Sequence, residues 1–464
     1  MKSRATLYAF IALCLLGAVA LLIEHRFRST DEQKQQASTL LQIVPDNINY
    51  LGMTRGDLHV ECIKRSGRWF LRNPQDAPVV HRRIGTILRL LAIIPKENAI
   101  SFVEIRDKQL TLNDYGLVKP RALFVLGDGQ SRQELSVGSD APLGNMVYVT
   151  LEGSEEIASV IDSVLDLIPE QVDDLRERSL FSITAEKVGY AYFQKDGSRL
   201  VLTKGDGGWV ITDPVQYKAD DQIMDALIQE ITALRVTSFI NEPVTNFTEM
   251  GLEPPVYAVH LAEDVNDAEP AGPNRLLIGL LREGAATVFA KYGEAQFACE
   301  ISSSSVKAFV DDMTNPLKYV SRTILQIPEK SIHQVAILKN GSKQVVARDE
   351  SGEWTSVLPV DKAVDQETIR DALMFAADLR ALRVEALDPT DLSVYGLDNP
   401  RSVLSLGFRD GQERQTELFI GSGAKRSGMY AMIKEQHIVF VLEEVLAELL
   451  TRSLVYSVAT DKRE

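Results

Sequence analysis

Cysteine is almost missing from this chain: Cys14, Cys62 and Cys299 are the only three in 464 residues, which excludes a disulfide-stapled scaffold. Six histidines, at 25, 59, 81, 260, 333 and 437, form no pair at helical spacing, and there is no Cys-x-x-Cys. A local zinc motif is therefore lacking. So is the Gly-x-Ser-x-Gly elbow that exposes a nucleophilic serine. Basic charge is in deficit, with 50 Lys and Arg against 65 Asp and Glu, a net −15. Residues 1–30 hold four basic and one acidic residue (+3), so the remainder carries −18, a body expected to repel nucleic acid and anionic lipid surfaces. What is present is ordinary globular composition, 45% hydrophobic and 25% charged, which excludes collagen-like, disordered and many-helix membrane classes. At roughly 150 residues per domain the length implies about three units.

The amino terminus reads as an address. Leu7 to Ile23 is a run of 17 uncharged residues, extended to 19 by Ala5 and Thr6. As a helix it measures roughly 28 Å, near the thickness of a hydrocarbon core. Lys2 and Arg4 precede it and Arg26 and Arg28 follow, so charge alone does not fix orientation; the short basic start favours an amino terminus inside. Ala18-Val19-Ala20 supplies the small-x-small pattern of a cleaved signal, the competing reading, whereas Leu21-Leu22-Ile23 prolong the run as an anchor would. Ile11-Ala12-Leu13 before Cys14 lack the small residue that precedes a lipid-modified cysteine. A polar stretch from Ser29 to Thr39 follows, a stalk by composition.

Repetition organises the rest. Trp69, Trp209 and Trp354 stand 140 and 145 residues apart, and each closes a similar passage whose first isoleucine, Ile43, Ile183 or Ile327, lies 26, 26 or 27 residues earlier. Apolar and polar residues alternate around turns such as Lys195-Asp196-Gly197-Ser198 and Lys339-Asn340-Gly341-Ser342. This predicts an antiparallel hairpin and a third strand beginning near each Trp. A helix is expected next, with Ile84, Ile87, Leu88 and Leu91 on its apolar face in the first unit. In the second unit Ile223, Leu227, Ile231 and Leu234 follow an Asp220 cap, and Ile369, Leu373 and Ala376 serve the third. Then come Tyr115-Gly116-Leu117, Met250-Gly251-Leu252 and Tyr395-Gly396-Leu397, with Pro120, Pro255 and Pro400 four residues beyond each glycine. Gly at the exit of a helical turn, an apolar residue folding back and a nearby proline predict a turn ending in the left-handed conformation. Closing hairpins follow with Gly138, Gly279 and Gly421 in register. Each unit is expected to end in a helix, marked by Ile157, Ile161, Val164 and Ile168, by Val306, Phe309, Val310 and Met313, and by Val445, Leu446, Leu449 and Leu450.

The expected fold class is α+β: three tandem repeats of a mainly antiparallel sheet with two amphipathic helices each, behind one transmembrane helix. The divisions are 1–28 for the anchor, 29–42 for the stalk, and 43–180, 181–323 and 324–464 for the repeats. The Trp strand, helix, Tyr-Gly-Leu turn with its proline, and following strand together resemble the domain-of-unknown-function 4340 family, in three passes over residues 43–457. The resemblance implies one amino-terminal membrane helix, a long extracytoplasmic region and an accessory role beside gliding-motility-type ABC transporters; it implies no catalytic residue. Met250, which replaces the aromatic, and the polar insertion at Glu263 to Asn274 depart from the pattern.

Candidate chemistry is thin. Gly423 to Gly428 has a phosphate loop's glycine interval, yet Met429 stands where its lysine should, and the segment joins two strands rather than opening a helix. Ser302 to Ser305 reads as the start of a helix. Nine acidic and two basic residues lie between Leu151 and Arg178, and Asp173 with Asp174 could hold a divalent cation or act as acid and base, although charge runs on amphipathic segments are usually solvated faces. The tryptophans suit either carbohydrate stacking or a shared core role, and their constant place favours the core. No cofactor or metal is called for. The expected function is a non-enzymatic, membrane-anchored binding or scaffold protein of the bacterial envelope, in the inner membrane with its bulk in the periplasm or outside. Its partner would be an envelope or transporter protein, and nucleic acid is not expected. The alternatives are an envelope hydrolase or transferase with a site between repeats, and a solute-capture component of an importer.

Overall fold

The computed structural model describes residues 39–457, apart from 143, 241–245, 268–271, 273, 294, 296 and 411. The expected membrane helix at residues 7–23 and most of the stalk lie outside the described residues. Among the described residues no helix is long and apolar enough to cross a membrane.

The first repeat runs β1 (Tyr50–Arg55), β2 (Leu58–Arg65), β3 (Arg68–Asn73), β4 (Ala77–Pro78), α1 (His81–Ile93), β5 (Glu97–Ser101), α2 (Phe102–Asp107), β6 (Ala122–Gly127), β7 (Arg132–Asp140), β8 (Met146–Leu151) and β9 (Glu156–Ile161). The second runs β10 (Tyr190–Lys195), β11 (Ser198–Gly205), β12 (Gly208–Asp213), β13 (Tyr217–Lys218), α3 (Asp221–Thr232), β14 (Val236–Phe239), β15 (Tyr257–Ala262), β16 (Arg275–Ile278), β17 (Thr287–Tyr292), β18 (Cys299–Ser302) and α4 (Ser303–Val310). The third runs β19 (Thr323–Gln326), β20 (Ile332–Lys339), β21 (Ser342–Arg348), β22 (Trp354–Leu358), β23 (Ala363–Val364), α5 (Gln366–Ala377), β24 (Asp378–Arg380), β25 (Arg383–Leu387), β26 (Ser402–Asp410), β27 (Gln412–Gly423), β28 (Met429–Ile433), β29 (Ile438–Leu442), α6 (Glu444–Leu450) and β30 (Val455–Tyr456).

Three large sheets with one strand order result, beside the two-stranded β19-β24 and β23-β30. They read β4-β3-β2-β1-β6-β7-β8-β9-β5, β13-β12-β11-β10-β15-β16-β17-β18-β14, and β22-β21-β20-β26-β27-β28-β29-β25. The third is a strand shorter because β23 pairs with β30 instead of β22. Even the irregularities recur. A register shift falls at Glu61/Cys62, Val201/Leu202 and Val345/Val346, opposite the same part of each Trp strand. By compactness the chain divides into two units. One comprises residues up to Arg178 with Val236–Thr245 and Ala295–Cys299; the other holds Ser179–Arg235, Asn246–Glu294 and Glu300–Glu464.

Local chemistry explains most elements. The β10–β11 and β20–β21 turns place Asp196 and Gly197 at φ 49° and 80°, and Asn340 and Gly341 at 50° and 77°, the paired positive values that two-residue hairpin turns need. Ile84, Ile87, Leu88 and Leu91 are the buried stripe of α1, as expected. Asp220 caps α3 by accepting from the amides of Gln222 and Ile223, and Asp365 caps α5 through Thr368. The inner face of α3 is Met224, Leu227, Ile228 and Ile231. Ile223 is only half-buried and Leu234 lies past the helix end, so the face is rotated from the expected one.

The closing segments differ more. Val306, Phe309 and Val310 lie in α4 as expected. In α6 the inward residues are Ala447 and Leu450, and Val445 is exposed. In the first repeat the expected closing helix is absent: Ile157 and Ile161 belong to β9, and Val164 sits in a 3-10 helix over Asp162–Leu167. β9 lies between β8 and β5 and is buried from Ile157 to Val160. Such a strand needs apolar residues on both faces, and a β-branched run of this kind mimics helical spacing. This repeat's second helix is instead α2, between β5 and β6.

Candidate functional site

The positions that recur are the natural place to seek a site, and the structure gives them a mechanical part. Trp69, Trp209 and Trp354 are all buried, the core role rather than a carbohydrate platform. Each stands opposite a basic residue on the neighbouring strand, Lys64, Lys204 and Arg348 respectively. The Lys204 ammonium lies 5.5 Å from the Trp209 ring centroid and the Arg348 guanidinium 5.0 Å from that of Trp354, cation–π distances. Trp209 Nε1 also donates to Asp225 Oδ1 at 3.0 Å.

Gly116, Gly251 and Gly396 take φ of 69°, 68° and 64°. In every copy the glycine amide donates to the carbonyl three residues back, and the following leucine amide to the carbonyl five back. The pairs are Gly116 to Asn113 and Leu117 to Leu112, Gly251 to Thr248 and Leu252 to Phe247, and Gly396 to Ser393 and Leu397 to Leu392, all at 2.9–3.1 Å. This is the Schellman geometry, and Leu117 with Leu112 and Leu397 with Leu392 add its apolar contact. Pro120 and Pro400 follow the turns, and Pro255 forms an isolated bridge with Leu252. The turn rests on the strand bearing the second recurring glycine. A Cβ on Gly138, Gly279 or Gly421 would meet the carbonyl oxygen of Tyr115, Met250 or Tyr395 at 2.2, 2.1 and 2.2 Å. Tyr115 packs edge-on against Tyr148, and Tyr395 against Tyr430; Met250 takes that place in the second copy.

One recurrent device went unnoticed in the sequence. Arg55, Lys195 and Lys339 end the first hairpin strand of each repeat, 14, 14 and 15 residues before the Trp. Arg55 Nη1 donates to Leu165 O at 2.9 Å, Lys195 Nζ to Val310 O and Asp311 O at 3.1 and 2.7 Å, and Lys339 Nζ to Thr451 O at 3.3 Å. Each cation thus meets carbonyls near the end of the helical segment after β9, β18 or β29, a 3-10 helix in the first repeat, where the backbone dipole is negative. A proline five residues after each Trp, Pro74, Pro214 and Pro359, is another constant, and each follows a cis peptide bond.

The candidate reactive residues are used otherwise. Asp173 accepts from Arg176 Nη1 at 3.1 Å, and Asp174 accepts the Gln171 amide at 3.2 Å. Gly423 to Gly428 is a hairpin loop, with the Ala424 amide on Gly428 O. Ser302 caps α4 by accepting from Ser305. Cys62 and Cys299 are buried without a disulfide, and burial pushes the Cys62 thiol up to about 12. His260 is buried beside Tyr190, and burial, reinforced by Arg275, lowers its pKa. Among the described residues no group of three or more His, Cys, Asp or Glu could hold a metal ion. The first repeat carries a cavity of about 360 Å³ lined by Thr39, Gln42, Lys96, Gln133, Ser154 and Glu156, among others, and Lys96 Nζ meets Glu156 Oε1 there at 2.7 Å.

Several contacts join successive repeats. Arg178 Nη1 donates to Val236 O and Thr237 O at 3.1 and 2.9 Å, within the first compact unit. Arg176, 2% exposed, lies over the rings of Phe239 and Phe297 at 4.9 and 5.9 Å and donates to Gln75 Oε1 at 3.2 Å; all four residues belong to the first compact unit. Within the second compact unit, Tyr217 Oη donates to Asp388 Oδ1 at 2.9 Å and reaches His437 O at 3.4 Å. Burial, then the Asp388 bond, raises the Tyr217 phenol to about 12.

The molecule repeats one antiparallel-sheet module, and the recurring residues brace each copy from within. A family model described as Domain of unknown function (DUF4340) matches residues 69–210, 209–386 and 354–455, each match beginning at one of the tryptophans. The chain belongs to the DUF4340 family. No curated protein matches it. Among solved structures, a DNA polymerase sliding clamp from Pseudomonas aeruginosa with ligand is similar at 10% identity over 88% of this chain and 95% of that one, with a TM-score of 0.12. The DNA polymerase III subunit beta of the same organism gives 10% identity over 92% and 96%, with a TM-score of 0.13. Scores this low carry no argument about fold or function.

Proposed function

We propose that the protein is a non-enzymatic binding or scaffold component of the bacterial cell envelope. Residues 7–23 anchor it as a single pass, and residues 43–180, 181–323 and 324–464 are displayed as three modules outside the cytoplasm. The observation that carries this reading is the triple construction itself. One strand order is built three times, and the polar residues that recur with it cap helices and brace strands. Repetition of this kind multiplies surface rather than refining one pocket. An envelope protein, a transporter component foremost, is the partner such a surface suits. Crosslinking in intact membranes, followed by affinity capture of the full chain, tests it: an envelope partner should be recovered from the membrane fraction, and recovery of none, or partition of the chain away from membranes, would overturn the reading.

The cavity beside Lys96 and Glu156 favours a second reading, capture of a small polar solute. Thermal stabilisation by such a solute, abolished by Glu156→Gln, would support it.

A further inference from the structure

Two of the internal contacts, those of Arg176 and Tyr217, use equivalent parts. On the donor side is the loop after each Trp strand. Gln75, six residues after Trp69, accepts from Arg176, the side chain that stacks on the second repeat, and Tyr217, eight residues after Trp209, bonds directly to the third. On the receiving side are the last strand in each sheet order and the turn before the strand beside it, represented by Phe239 with Phe297 and by Asp388 with His437.

Among the described residues, the third repeat's loop and the first repeat's receiving strand meet no other repeat. The third repeat's loop is apolar where the corresponding loops are largely polar. Where the first two repeats have Arg72, Asn73 and Gln75 or Thr212, Asp213 and Val215, it has Val357, Leu358 and Val360. These are 51%, 44% and 76% exposed, and the strand carrying the first two ends its sheet because β23 pairs elsewhere. Lys362 occupies the place of Tyr217, with Asp361 before it. In the first repeat the receiving strand, β5, is exposed at Glu97, Asn98, Ala99 and Ser101, whereas β14 buries Val236 and Phe239 and β25 has no exposed residue. Its turn presents exposed Glu152 and Glu155.

We infer that this protein associates head to tail with a second copy of itself, the Val357–Lys362 loop of one copy docking on β5 and the Glu152–Glu155 turn of the next. The occupant follows from what fills the equivalent places inside the chain: another repeat of the same family. Lys362 meeting glutamates supplies register, and the apolar trio supplies burial. A contact between two different surfaces yields open chains or closed rings rather than a two-fold dimer. The inference is independent of the envelope partner proposed above.

The test uses the full-length chain in detergent, with Cys14→Ser in all samples so that only introduced thiols are accessible. Val360→Cys and Ala99→Cys are made separately, mixed and gently oxidised. A disulfide between positions 360 and 99 should form in the mixture, with neither variant crosslinking alone. Val360→Asp should weaken association in sedimentation by about tenfold or more with unchanged thermal unfolding, since the side chain is exposed. A chain that stays monomeric up to about 100 μM, a 360-to-360 product, no product in the mixture, or association indifferent to Val360→Asp would each overturn the inference.

Discussion

Gly421→Ala tests the paired-glycine architecture most directly. The added methyl would sit 2.2 Å from the Tyr395 carbonyl oxygen, with Gly396 O at 3.0 Å and Gly396 C at 3.1 Å. Ordinary van der Waals contact is roughly 3.5 Å, so the carbonyl must retreat by about 1 Å. All three atoms are backbone, inside a turn already fixed by the Gly396 and Leu397 amides, and no side-chain rotation relieves the clash. Overpacking of this kind costs about 1–3 kcal/mol. Retreat also stretches the bond from Ser422 Oγ to Tyr395 O, now 3.0 Å, a further ~1 kcal/mol. The sum, about 2–4 kcal/mol, corresponds to roughly a 30- to 1,000-fold loss of local protection at 1.4 kcal/mol per tenfold. Hydrogen exchange read by mass spectrometry over β27 and β28 measures it locally, which suits a multi-repeat chain whose unfolding is not two-state. Gly423→Ala is the control: the same strand, nothing within 4 Å of its Cβ, and an expected change within ~0.5 kcal/mol. Equal protection in the two variants would refute the close approach of turn and strand.

Further outcomes follow from the same reasoning. Gly396→Val places a β-branched residue at φ 64° and sets its Cβ 3.0 Å from the Ser422 amide, so the third repeat should melt earlier; an unchanged transition would refute the turn. Asp365→Ala should cost about 1 kcal/mol through loss of the α5 cap. Bonds from Thr368, first its backbone amide and then its hydroxyl, lower the Asp365 pKa, so its contribution is present above the ordinary carboxylate pKa and is lost as pH falls through the lowered folded value. Denaturation of parent and variant should therefore converge in acid, and a gap that persists there would refute the cap. The Tyr217 phenol is raised to about 12, so the stability it contributes is intact below the ordinary value near 10 and declines as pH rises toward 12. Burial raises the Tyr319 phenol as well, so ultraviolet titration should show one late-titrating phenol fewer in Tyr217→Phe than in the parent, and an unchanged number would refute the assignment.

The sequence determined by itself whatever depends on neighbours along the chain. The Asp-Gly and Asn-Gly hairpins, the Gly-Leu-x-x-Pro turns, the Asp220 cap and the stripe of α1 are all local stereochemistry written in nearby residues, and the glycine turn is written three times. Family membership rests on the same positions. Some recurrent residues were visible but mute: Gly138, Gly279 and Gly421 are in register in the sequence, yet their need for glycine comes from a carbonyl more than 20 residues away. Likewise Arg55, Lys195 and Lys339 sit 14, 14 and 15 residues before each Trp, but the carbonyls they cap lie more than 100 residues further on.

Only the tertiary structure decided that Ile157 to Ile161 is a strand, because apolar spacing there suits a helix and a doubly buried strand alike, and the flanking β8 and β5 settle it. It also decided that Arg176, with no motif around it, is the buried cation stacked on Phe239 and Phe297. Burial and stacking are properties of what surrounds a residue in space, and the residues that surround Arg176 lie about 60 to 120 positions along the chain. Local order was thus fixed by short-range geometry, whereas the strand order and the joints between repeats were fixed by which distant surfaces meet.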